Sequence, residues 1–142
     1  MSIVQGQTTL FKTNILSALE NFAVGTPYTY KLALYTANAT LNNTTTVYTT
    51  VGESSGGNYV AGGKVLTITY PPTGDLSNNV AWVSFGNLTW TGAITARGAL
   101  VYNSTTGAAC FVLNFGNDVT STNSFTVTFP TPGSTTAVLT IS

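Results

Sequence analysis

The chain is expected to form one mainly β domain over residues 1–142, an antiparallel β-sandwich or jelly-roll-like fold with one N-terminal amphipathic α-helix. Three observations predict it. Short runs rich in Val, Ile, Thr, Tyr, Phe and Trp alternate with period two. Gly, Asn, Ser and Pro clusters separate about eight or nine such runs between residues 28 and 141, at spacings of roughly 8 to 20 residues. A period near 3.6 appears only in the stretch Thr8 to Ala23.

That stretch, about residues 8–23, is the expected helix. Phe11, Ile15, Leu19 and Phe22 fall on a single face, opposite Lys12, Asn14, Ser17 and Asn21. Thr8 or Thr9 supplies the cap and Gly25 followed by Pro27 the stop. Tyr28 to Thr36 then alternates, with Tyr30, Leu32 and Leu34 on one face and Lys31, Ala33 and Tyr35 on the other. Ala37 to Thr46 is Asn- and Thr-rich without period and reads as a loop; Thr45 to Val51 is β-prone again. Gly62-Gly63 marks a turn before the strand KVLTITY, which Pro71 and Pro72 should end because proline donates nothing to a ladder. Asp75 to Asn79 is a turn.

The best core builders follow: Val80 to Trp90, Ile94 to Asn103 and Ala108 to Gly116. Short turn-forming links join them, including an Asn103-to-Gly107 hairpin, so an antiparallel meander is expected with Ile94 to Asn103 at its centre. In that central strand, simple alternation places Thr95, Arg97 and Ala99 on one face and Ile94, Ala96, Gly98 and Leu100 on the other. Gly116 to Asn123 reads as a loop. Phe125, Val127 and Phe129 point inward from the next strand, and Leu139 and Ile141 share a face of the last.

Composition narrows the function classes. Charged residues are 6% of the chain, against about 25% in an ordinary soluble domain, and Lys12, Lys31, Lys64 and Arg97 balance Glu20, Glu53, Asp75 and Asp118. Four scattered cations neutralise few phosphates, so a nucleic-acid partner is not expected. A net charge of zero gives little self-repulsion, which suits a chain packed against neighbours. No run approaches the ~20 apolar residues of a membrane span, so no membrane partner is expected. MSIVQGQTTLFKTN lacks the basic start and apolar run of a signal peptide, and synthesis in the cytosol is the expectation.

No residue pattern points to catalysis. The chain has no histidine, so the lone Cys110 lacks an imidazole base and reads as a buried small hydrophobe. Glu20 sits on the expected helix, and Glu53, Asp75 and Asp118 occupy separate loops as solvated acids, giving neither a carboxylate pair nor a metal set; a calcium site built on Asp75 or Asp118 with carbonyls is the one alternative. GNYVAGGK resembles a phosphate loop but has an extra glycine before Lys64, Val65 in place of the Ser or Thr, and no helix after it, so it reads as a Gly-Gly turn. No catalytic residue, cofactor or metal is therefore expected. Arg97, the sole arginine, is either an interface donor reaching a carboxylate or carbonyls, or a solvent-facing side chain. Tyr48, Tyr59, Trp90 and Tyr102 lie near loops and are candidate contact anchors, with core duty an equal account of Trp90.

The order of features resembles small tailed-bacteriophage virion structural proteins. The resemblance is carried by FKTNILSALENFAVGTPYT, the strand and loop KLALYTANATLNNTTTVYT, the GGNYVAGGK turn, VAWVSFGNLTWTGAITARGALVYNSTTG and the closing FTVTFP. It implies a non-enzymatic capsid decoration (cement) or fibre-associated subunit and assigns no functional residue. The expectation is a virion protein on the capsid surface, made in the host cytoplasm, whose partners are copies of itself, with a trimer favoured, and the major capsid protein. The alternative is a tail- or fibre-associated subunit, or a carbohydrate-binding β-sandwich using the loop aromatics.

Overall fold

Ile94 to Asn103 is the centre of the molecule. In the computed structural model, which describes residues 2–142, β7 (Thr95–Asn103) is hydrogen-bonded on both sides. Its neighbours are β2 (Tyr30–Tyr35) and β8 (Ala109–Thr120), and the sheet is completed by β1 (Gly6–Gln7) beyond β8 and β3 (Lys64–Val65) beyond β2. A second sheet orders β10 (Leu139–Ile141), β5 (Val80–Phe85) and β4 (Ile68–Asp75), and a third pairs β6 (Leu88–Thr91) with β9 (Ser124–Val127). All these pairings are antiparallel, and with one short helix, α1 (Thr9–Leu16), they make the mainly β, sandwich-like fold the alternation predicts.

The expected meander is half present. The β7–β8 hairpin forms, but Val80 to Trp90 does not pair with β7. Gly86 and Asn87 divide that run into β5 and β6, which enter two other sheets, and β2 takes the place beside β7 through a register from Tyr30↔Asn103 to Tyr35↔Gly98.

One core lies between the five-stranded sheet and the two smaller ones. Tyr30, Leu32 and Leu34 meet Val83, Phe85, Trp90, Phe125, Val127 and Phe129 there, following the expected alternation of β2 and β9. Ala33 and Tyr35, on the other face of β2, join Leu100, Tyr102 and Val112 in a second cluster, roofed by Ile3, Ala39 and Leu41. The central sheet is thus covered on both faces, which is why β7 reads as a nearly continuous apolar run.

The helix is shorter than its apolar stripe suggests. Thr8 caps it, its hydroxyl accepting from Phe11 N at 3.0 Å and donating to the Ala109 carbonyl at 3.0 Å. It stops at Leu16, not at Ala23, because Ala18 takes a left-handed conformation (φ 58°). Leu19 N then bonds Asn14 O, and Ala18 N bonds Ile15 O, the hydrogen bonds of a Schellman ending. Phe11 reaches the core from the helix, Leu19 is exposed, and Phe22 arrives by an irregular strap whose ring stacks on Tyr30 at 4.3 Å.

Irregularities in the strands change several faces. Opposite Arg97, β7 advances from Ala96 to Gly98 while β8 advances from Val119 to Asn114, so Ala96 and Ala99 both face the main core and strict alternation fails. The segment from Gly116 expected as loop is strand as far as Thr120. Between Val101↔Phe111 and Tyr102↔Ala109, Cys110 is the extra residue, so Cys110 and Phe111 both point inward. Pro71 and Pro72 do not end their strand; they sit where β4 slips register against β5, tolerated because β4 is an edge strand. The KVLTITY run splits into β3 and β4, and Thr45 to Val51 contributes only an isolated bridge, Val47↔Ala108. The Gly62-Gly63 turn is present; a Cβ on Gly63 would lie 1.8 Å from the Leu32 carbonyl oxygen, so β2 and this turn approach as closely as only glycine allows.

Candidate functional site

Two of the five candidate contact residues donate to one carboxylate, and a third stacks on one of them. The loop after β2 brings Glu53 beneath the Gly62-Gly63 turn. There Glu53 Oε1 accepts from the Tyr59 hydroxyl at 2.6 Å and the Gly62 amide at 2.7 Å, and Oε2 accepts from the Tyr48 hydroxyl at 2.7 Å. Tyr102 stacks on Tyr48 with ring centroids 4.8 Å apart and donates to the Gly62 carbonyl at 2.7 Å. The Tyr59 hydroxyl also accepts from Leu34 N at 2.9 Å, tying the cluster to β2. Burial, reinforced by the Glu53 charge, raises the phenols of Tyr48, Tyr59 and Tyr102 above their ordinary range. These hydrogen bonds thus tie the Glu53 loop to the Gly62-Gly63 turn and to β2. Glu53 is therefore not the solvated loop acid that the sequence suggests.

Trp90 and Arg97 lie elsewhere. Trp90 is 1% exposed, so of its two accounts core duty is the one it performs; Lys64 lies over its ring at 5.4 Å and donates to the Thr89 carbonyl. Tyr102, at 5% exposure, is likewise a core residue. Arg97 reaches a carboxylate in its own chain: its Nε lies 2.9 Å from Asp118 Oδ1 across the irregularity between β7 and β8.

A second buried cluster was not foreseen as one. Glu20, expected on the helix, lies in the strap beyond it, where Oε1 accepts from Asn103 Nδ2 at 2.8 Å and Oε2 from the Cys110 thiol at 3.2 Å. Asn103 Oδ1 meanwhile accepts from the Thr105 and Thr106 amides, closing the hairpin turn. Burial first, then the Glu20 charge, pushes the Cys110 thiol up, which keeps it protonated and poorly nucleophilic. Among the described residues no group of three or more His, Cys, Asp or Glu side chains gathers as a metal site; Asp75 is held low by hydrogen bonds from Ser134 and Asn78, and Asp118 pairs with Arg97.

The open features are apolar. A groove of about 610 Å³ runs between α1 and the C-terminal strand, with Phe11, Ile15 and Leu16 on one wall, Val138 and Ile141 on the other, and Phe111 and Leu113 at its base. Gln7 Nε2 donates to the Thr140 carbonyl at 3.0 Å and is the hydrogen bond from β1 to β10 across it. On the other side of β10, with which β5 pairs, the β4–β5 hairpin extends an almost wholly exposed strand to a turn at Asp75, where Leu76 is 97% exposed. Asp75 Oδ1 accepts from Ser77 N and Asn78 N, which fixes this expected turn. On the hairpin's stem, Tyr70 and Trp82 form an outward aromatic pair with centroids 5.9 Å apart. The sequence carries a signal for the exposed tip, a leucine inside DLSNN, but none for the groove, which is built from segments more than a hundred residues apart.

Comparison of the chain with protein-family models, with curated proteins and with solved structures finds no match.

Proposed function

We propose that the protein is a non-enzymatic structural subunit of a tailed-bacteriophage virion, a decoration (cement) subunit that associates with copies of itself and docks on the major capsid lattice. The resemblance in the sequence suggests the particle. The observation that supports the structural role is the disposition of charge. Of eight formal charges, Glu20 and Glu53 face inward and Arg97 and Asp118 neutralise each other, while Leu16, Leu76, Val24, Val51 and Val60 stand exposed. A surface poor in ions and studded with large apolar side chains gains from being covered. The internal hydrogen bonds of buried Glu20 and half-buried Glu53 and the protonated Cys110 thiol fit a chain that carries out no chemistry.

A subunit that binds only the assembled shell stabilises it by RT ln(1 + [L]/Kd) per site, and many copies make modest contacts strong in sum. Closed cyclic symmetry, with a trimer at capsid three-fold positions, suits this role. The tail- or fibre-associated, glycan-binding reading shifts from the loop aromatics, which are engaged internally, to the Tyr70–Trp82 pair.

The test is co-sedimentation of the purified chain with capsids, together with its position in a map of the intact particle. Binding to shells and density on the head surface are expected. Density on the tail alone, with sugar-dependent melting shifts lost in Tyr70→Ala, would establish the second reading. A chain that stays monomeric at high concentration and ignores shells overturns both self-association and capsid docking.

A further inference from the structure

We infer that the β4–β5 hairpin of one copy inserts its Leu76 tip into the groove between α1 and β10 of the next, so that copies join head to tail. The inference rests on the self-association proposed above and names the surfaces that carry it.

The two surfaces are complementary in shape and in charge. Leu76 is 97% exposed at the turn of the β4–β5 hairpin, the most exposed large apolar side chain among the described residues. The groove is walled by Leu16, 89% exposed, and Ile141, 49% exposed, and no residue of the β4–β5 hairpin lines it within the same chain. Its volume of about 610 Å³ falls within the ~300–1,000 Å³ of clefts that enclose a ligand, so it suits a hairpin tip better than a single side chain.

Charge points to the same partner. Among the described residues Lys12 is the sole ionic side chain lining the groove, and no acid lies within salt-bridge distance of it. Asp75, next to Leu76, is held by the neutral donors of its own turn, Ser77 N, Asn78 N and Asn78 Nδ2, and faces no cation within salt-bridge distance among the described residues; the Ser134 hydroxyl and those donors keep its carboxyl low, hence ionised. In a chain with four acids and four bases, a surface acid that faces no cation thus sits beside the apolar tip, and a base that faces no acid lines the apolar groove. Tip and groove are different surfaces, so the contact is heterologous: it closes into a ring if the rotation permits and propagates otherwise. One such contact covers less than the ~1,200–2,000 Å² of a standard specific interface, so ring closure or a shell must reinforce it.

Sedimentation velocity over a concentration series tests this, using the full chain and variants at exposed positions, with circular dichroism confirming that each folds. Leu76→Ser is expected to weaken self-association roughly ten- to hundredfold, the loss of one buried leucine. Lys12→Glu should weaken it about two- to fivefold, with recovery when mixed with Asp75→Asn, which preserves the turn. Under mild oxidation, Leu76→Cys mixed with Leu16→Cys should give covalent dimers that neither variant forms alone. Self-association unchanged by Leu76→Ser, or Leu76→Cys dimers formed with itself and not with Leu16→Cys, overturns the inference while leaving self-association standing. A hairpin needed only for capsid binding assigns Leu76 to the shell and overturns it too. A wild-type chain that never associates removes this inference and the reading beneath it.

Discussion

Glu53 shows how one side chain can fasten a layer. Its two oxygens accept from Tyr48, Tyr59 and Gly62, and that turn in turn accepts from Tyr102. Removing the acceptor strands three donors in a half-buried site, so Glu53→Ala should cost ~1–3 kcal/mol. Glu53→Gln should cost the lower part of that range, since its carbonyl can keep the Tyr59 and Gly62 donors while the Tyr48 hydroxyl turns to accept from its amide. Denaturant midpoints at constant m decide; equal losses for the two variants would mean that water replaces the carboxylate. The tyrosines were legible as special because of their place beside loops, but their partner was not. Glu53 and Tyr102 are 49 positions apart, and nothing in GESSGGN signals that the loop folds back over β2. Trp90 illustrates the same limit: a loop-flanking aromatic reads equally as anchor or core until the opposite sheet is placed.

At the scale of elements, the alternation of β2 and β9 could be read directly because each strand is regular and one set of its residues enters the main core. What could not be read was where regularity fails. The helix ends on Ala18 in a left-handed conformation usually left to glycine, so the apolar stripe runs on past the true stop. The extra residue Cys110 turns its thiol toward Glu20, and no local motif announces it. That placement predicts the thiol's behaviour. A buried, protonated Cys110 should react with an alkylating reagent only through opening of the β7–β8 hairpin, so its labelling rate should track global unfolding across a denaturant series. Fast labelling in buffer would mean that the strap carrying Glu20 lifts independently of the sheet.

For the whole molecule, the buried phenols set the response to alkali. Burial raises Tyr30, Tyr35, Tyr48, Tyr59 and Tyr102 above their ordinary value of about 10, and Glu53's charge adds to this in the last four. The unfolded chain therefore loses these protons first as pH rises, while the folded state keeps them. Stability should be at its full value below about pH 10 and fall steeply above it, with tyrosinate absorbance appearing together with unfolding. Tyr59→Phe should make that fall shallower, and gradual ionisation of a still-folded chain would contradict the sign. The order of the five-stranded sheet has a temporal consequence as well. β7 and β8 are joined by a tight turn and can nucleate early, yet β1 docks on β8 through Gly6↔Val112 and Gln7↔Phe111. The residues of β1 are therefore synthesised about a hundred positions before their partner and must wait for it, with α1 and the Glu20 strap unanchored in the meantime. Such distant closure places folding in the slow, millisecond-to-second class and makes the β7–β8 hairpin the step on which the amino-terminal end depends.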